Sequence, residues 1–212
     1  FFGVILTAHT AAAADQYVSG PISVDTTWFA GDNYFVTGHV TVLPGVTLTI
    51  EPGTHVFFDS GRGLFVEGAL RADGLLGTPI QFLPNTTLLP IPWYGVQFNA
   101  SSPGSVSQSF FSGPDRAVAA IDSSPAIFNN TVQGATWGFA LVRSGTVLAD
   151  NVVDRAAIGV YLAESNAEVV RNWINDTTIF GIRAETSGSP GLRANAITNA
   201  QGTFAVGLYT TG

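Results

Sequence analysis

Fifteen carboxylates, eight arginines and three histidines carry all the charge and acid–base chemistry open to this 212-residue chain, which contains no Lys, Cys or Met. Most of the charges within residues 117–185 fall into columns spaced by 21 residues. Asp122, Arg143 and Glu164 share one column, Asp150 and Arg171 a second, and Arg155 and Asp176 a third. Opposite signs at equivalent positions predict solvent-facing pairs about 5 Å apart, each worth roughly 0–1 kcal/mol, that also oppose slipped register. Asp154 beside Asp150 or Asp176 is what remains for a carboxylate cluster. His39 and His55 could share one face, but two imidazoles without carboxylate help make a poor metal site. No metal and no cofactor is expected. A third grouping is the outward column Gln97, Ala119, Ala140, Tyr161, Arg183 and Tyr209. Its members Tyr161, Arg183 and Tyr209 form an aromatic–arginine stripe suited to sugar rings, aromatic faces meeting C–H groups and Arg bonding hydroxyls. The alternative is ordinary surface tyrosine, which strands favour. No Gly-x-Ser-x-Gly, phosphate loop or His-Glu-x-x-His occurs.

The elements that must hold these residues follow from an internal repeat. Ala117–Val132, Gly138–Val153 and Gly159–Ile174 align 21 residues apart without a gap, a fourth copy starts at Gly181, and a partial fifth starts at Gly207. Asn130, Asn151, Asn172 and Asn195 fall in one column; Val132, Val153, Ile174 and Ile197 fall in the column two residues later. Within each copy apolar residues alternate with variable ones, the period of a strand. Short strands at this period without helical patterning indicate a solenoid of parallel strands. In such a stack identical side chains lie above one another, so the Asn column predicts a ladder of amide hydrogen bonds. Asn also tolerates the left-handed backbone of a sharp corner. The first half repeats the logic with Pro44-Gly45 and Pro52-Gly53 turns between alternating segments, and the Pro-rich stretch 83–92 reads as a projecting loop over Trp93-Tyr94. The fold expected is all-β, a right-handed parallel β-helix of about eight coils with a period near 21 residues, stacked over roughly 35–40 Å.

Composition excludes other classes. A net charge of −7 offers no basic face for nucleic acid. Without Cys there is no disulfide framework or thiolate metal site, and 46% hydrophobic residues with 11% charged ones rule out disorder. The chain keeps its surface polar with Ser, Thr, Asn and Gly. Residues 1–14, ending in Ala12-Ala13-Ala14, read as the remnant of a secretory signal peptide. Residues 15–35 then read as a lead-in or cap, and 36–212 as the β-helix, incomplete at its C-terminus. The missing Met reads as a fragment, and no membrane span is expected in the mature chain. Four Asn-x-Ser/Thr sequons, at Asn85, Asn99, Asn129 and Asn175, sit at loops or outward corners.

The run from Val40 to Phe58, with Leu64–Val66, Ala69–Gly74, Pro79–Phe82 and Trp93–Phe98, resembles the opening of secreted right-handed β-helix repeat proteins. The later coils are similar to the Asn-bearing repeats of the carbohydrate-binding and sugar-hydrolase β-helix group. The resemblance covers about residues 36–212 and implies the fold more than a function, since that group holds pectinases, lyases, adhesins and surface-layer components. Hydrolases of the group place an acid and a base about the scissile bond. The pectin hydrolases carry Asn-Thr-Asp, Asp-Asp, Gly-His-Gly and Arg-Ile-Lys motifs, and this chain has no Asp-Asp, no Gly-His-Gly and no Lys. The expected function is therefore a non-catalytic, secreted or cell-surface structural or adhesive module, with a polysaccharide or cell-surface glycan, and the remaining coils of its own chain, as partners. The alternative is a polysaccharide-active lyase or glycoside hydrolase whose catalytic residues lie partly outside these 212 residues.

Overall fold

Runs of β-branched and aromatic residues alternating with small polar ones form strands of three to ten residues, too short to be stable singly and able to bury their apolar side only by stacking. A computed structural model describes residues 14–86, 91–185 and 188–201, with the backbone of 206–211. The leader reading of residues 1–14 lies outside the described residues except for Ala14. No helix occurs among the described residues, so none is long and apolar enough to cross a membrane.

Among the described residues, twenty-four strands make a parallel β-solenoid of about eight turns, each turn contributing one strand to each of three faces. The first face carries Thr26–Trp28, Thr47–Ile50, Ala69–Asp73, Gly104–Ser107, Ala126–Phe128, Val147–Ala149, Glu168–Val170 and Gly191–Arg193. Asn33–Val42 is long enough to bend through a corner. Its first half opens the second face, pairing with His55–Phe58, and its second half opens the third, pairing with Gly63–Val66. Asp15–Ile22, in the segment read as a lead-in, pairs in parallel with Asn33–Val42 across that corner.

Inward columns fill the shaft. On the first face Trp28, Ile50, Ala72, Val106, Ile127, Leu148, Val169 and Leu192 stand in register. Their spacing is 21 or 22 residues except at the last step and between Ala72 and Val106, where the surplus forms the tight turn from Leu75 to Thr78 and the Pro-rich stretch. Trp93 is fully buried and stacks on Phe58 at 4.3 Å, while Phe82 stacks on Phe111 at 4.6 Å. Trp93 is therefore a core residue, its indole N–H donating to the Ser112 carbonyl at 2.9 Å, whereas its neighbour Tyr94 is 45% exposed.

Beyond these aromatics the interior becomes polar at one corner. Asn130 Nδ2 donates to Asn151 Oδ1 at 3.0 Å, Asn151 Nδ2 to Asn172 Oδ1 at 2.9 Å, and Asn172 Nδ2 to Asn195 Oδ1 at 3.0 Å. The same oxygens also accept the backbone N–H of the preceding Asn. The amides further donate to the Val106, Ile127, Leu148 and Val169 carbonyls. The left-handed residue at this corner is not the ladder Asn, as the sequence reading had it, but the one before it: Asn129, Asp150, Arg171 and Ala194 have φ of 53–57°. The ladder Asn needs an extended backbone to aim its amide inward, so the corner's unfavourable geometry falls on its neighbour.

The charged columns all stand at left-handed corners, Asp150 and Arg171 at this one and the others at the two remaining corners of the turn. Asp122, Arg143 and Glu164 have φ of 47–51°, and Arg155 and Asp176 have φ of 56° and 52°. Arg143 grips Asp122 with two bonds of 2.6 and 2.7 Å, and Arg171 grips Asp150 in the same way. Arg155 turns instead to Asp154 at 3.1 Å, its chain neighbour, which competes successfully with Asp176 in the next turn. Hydrogen bonds from the arginines hold the Asp122 and Asp150 carboxyls below their ordinary value of 3.8. A carboxyl depressed on folding adds stability that is present above its unfolded pKa and lost as pH falls through the folded value. The Arg143→Gln/Arg171→Gln double variant is therefore expected to show a shallower loss of melting temperature below about pH 4 than the parent. Thermal melts across pH 2–7 measure this, and parallel acid limbs would refute it. Both carboxylates are exposed, so the effect is modest.

Candidate functional site

The outward column on the third face runs Thr41, Phe65, Gln97, Ala119, Ala140, Tyr161, Arg183 and Tyr209, each in register with the next. Tyr209 is placed by its backbone only, since its side chain lies outside the described residues. Ala119 and Ala140 face outward, outside the core cluster, yet are only 2% and 3% exposed. Their larger neighbours therefore cover them.

Toward the C-terminal end of that column Tyr161 and Arg183 meet groups that sequence reading did not assign. The Tyr161 hydroxyl donates to Glu185 Oε2 at 2.7 Å, and the Arg183 guanidinium pairs with Oε1 of the same carboxylate. That guanidinium stands 5.9 Å over the Tyr161 ring and 5.0 Å over Phe180. Trp137 packs against Tyr161 at 4.7 Å with its plane tilted by 52°, and Arg116 lies 5.4 Å over the Trp137 ring. The hydrogen bond from Tyr161, joined by the Arg183 charge, holds the Glu185 carboxyl below its ordinary value; the same bond and burial push the Tyr161 hydroxyl up. Glu185 is thus an ionised anchor for the stripe. Its two acceptor oxygens are both engaged, the opposite of the raised, protonated carboxyl that a general acid requires.

Toward the N-terminal end, Phe65, Tyr94, Gln97, Asp115 and Arg116 line a depression of about 330 Å³. His39 stacks on Tyr94 at 5.7 Å and meets Phe65 edge-on at 5.2 Å. His55 sits on the second face, its ring nitrogen 3.0 Å from the Gln81 amide. The two histidines are therefore on different faces, because the corner within Asn33–Val42 separates the columns they belong to.

Sequence reading also passed over a second polar ladder. Ser102, Ser123, Ser144 and Ser165 recur every 21 residues, each at most 3% exposed. Ser123 Oγ donates to the Ser102 carbonyl at 2.6 Å, and Ser165 Oγ to that of Ser144 at 2.7 Å. The fixed interval was the signal that could have found it.

Parallel strands wound through three faces, with amide and hydroxyl ladders inside and an aromatic–arginine stripe outside, define a parallel β-helix repeat protein. Residues 89–212 match the family described as periplasmic copper-binding protein (NosD). That is more than half of the sequence, and the chain belongs to the NosD family. No curated protein and no solved structure matches it.

The family's description names copper, and the donors present here do not fit it. Copper sites draw on thiolate, thioether and imidazole ligands. This chain has no Cys and no Met. His39 and His55 lie on separate faces, and His9 lies outside the described residues. No group of three or more His, Cys, Asp or Glu side chains could hold a metal ion among the described residues.

Proposed function

We propose that this chain is a non-catalytic extracytoplasmic β-solenoid module whose third face contacts glycans. A β-helix family described as periplasmic supports the location. The observation that carries the reading is the Trp137–Tyr161–Arg183–Glu185 cluster. It offers aromatic surface for sugar C–H groups and fixed donors and acceptors for sugar hydroxyls. The surroundings of Asp122, Asp150 and Glu185 displace these carboxyls downward from their ordinary values. Such groups suit pairing and binding rather than protonating a leaving group.

The test is an oligosaccharide array followed by titration of the best neutral hit. Trp137→Ala and Tyr161→Ala are each expected to weaken binding about tenfold, the loss of one aromatic contact of roughly 1–1.5 kcal/mol. Release of reducing ends from a polysaccharide panel would establish the lyase or glycoside hydrolase alternative instead. Unchanged affinity in both variants would remove the third face from consideration.

A further inference from the structure

Six of the eight arginines form ion pairs with neighbouring carboxylates. Arg71 does not, although acidic residues outnumber arginines by 15 to 8. Its situation is informative because the chain contains a matched case. Arg183 and Glu185 lie two apart on one strand, pointing outward, and pair. Arg71 and Asp73 also lie two apart on one strand, but Asp73 is taken. Ser105 Oγ donates to its Oδ2 at 2.6 Å and Ser107 Oγ to its Oδ1 at 2.8 Å. The other nearby carboxylate, Asp25, accepts the Thr47 backbone N–H at 2.8 Å. Arg71 is left exposed with no hydrogen bond or ion pair among the described residues.

The surface around Arg71 is concave and lined with hydroxyls. Two adjoining depressions on the first face, of about 360 and 260 Å³, share Arg71 and Thr47. Thr27, Thr49, Arg71 and Ser105 stand in one outward column, one per turn. The floor is low beside Thr47 because Ala69, next to it in register, contributes only a methyl group.

We propose that this trough is a second binding site, independent of the third face, for a sugar chain bearing carboxylates. A guanidinium presents two parallel N–H donors that match a planar carboxylate. The threonine and serine hydroxyls, repeating at the strand spacing of about 4.8 Å, supply partners for ring hydroxyls along the chain. Asp25 and Asp73 border the trough and restrict the anion to the position facing Arg71.

The experiment is a titration of the whole chain, at low salt, with a uronic-acid trisaccharide, a neutral glucose trisaccharide and inorganic sulfate. The uronate is expected to bind, with the neutral sugar at least tenfold weaker. Arg71→Gln is expected to weaken uronate binding at least tenfold, Arg71→Lys to fall between, and Arg193→Gln, on the same face but paired with Glu168, to leave it unchanged. Arg71 is exposed, so its variants fold; if Gln were poorly tolerated, Lys would carry the comparison. Equal binding to parent and Arg71→Gln overturns the site. Sulfate binding as tightly as the uronate overturns the sugar part, and absence of uronate binding overturns the whole.

Discussion

Asn151→Asp, a change of one atom, is expected to lower stability by about 4 kcal/mol, because it reverses the donor side of a buried ladder. Asn151 Oδ1 accepts the Asn130 backbone and side-chain N–H groups at 2.9 and 3.0 Å, and a carboxylate would still do so. Its Nδ2 faces the Asn172 Oδ1 and the Ala149 and Ile127 carbonyls at 2.9–3.2 Å. A second carboxylate oxygen there meets only other oxygens, at a position 1% exposed. Thermal melts should fall by about 2–4 °C per kcal/mol for a chain of this size. The deficit should shrink on acidification, because burial among acceptors raises the new carboxyl's pKa and its protonated form regains a donor. A pH-independent loss would mean that cavity or backbone effects dominate. Asn195→Ala, at the partly buried end of the ladder, is expected to cost about 1 kcal/mol.

Gly95→Ala is expected to be at least as damaging, by roughly 4 kcal/mol or more. Gly95 opens a third-face strand with φ of +90°, and a Cβ there would lie 1.5 Å from the Arg116 carbonyl oxygen of the next turn. That oxygen belongs to strand backbone and cannot yield without breaking turn-to-turn pairing. Gly77→Ala is the matched control: φ is +95° and nothing lies within 4 Å. It carries only the left-handed penalty, about 1 kcal/mol. The difference between the two melting temperatures isolates the steric part. Equal losses would show that conformation alone decides both positions.

What sequence conveyed about this fold depended on whether chemistry repeated at a fixed interval. The Asn column was legible because one residue type recurs four times where a stack must satisfy its own interior. The Ser column repeats at the same interval, but serine at corners is easily taken for generic turn polarity. Backbone handedness at the corners was misplaced by one residue, because Arg171 and Ala194 give no sign of left-handed φ. At the third-face site, Tyr161 and Arg183 were recognisable as a stripe. Glu185 was not recognised as their anchor, since it is one strand position outside the column that drew attention. Arg71 could not be recognised at all. Its availability depends on Ser105 and Ser107 capturing Asp73 from 32 and 34 residues away.

The change of interior along the shaft has a thermal consequence. The early turns are packed by the ring stack of Phe58, Trp93, Phe82 and Phe111, and the later ones combine aliphatic columns with the amide ladder at one corner, beginning where Asn130 Oδ1 receives the Ser109 N–H at 3.1 Å. Apolar burial weakens on cooling, while hydrogen-bonded ladders lack that dependence. Each turn touches only its neighbours, so cooperativity need not extend across the junction. The two ends of the stack therefore respond differently to temperature, the later one carrying ladder hydrogen bonds that the earlier one lacks. Chilling loosens the aromatic section first, and calorimetry should resolve two overlapping transitions rather than one.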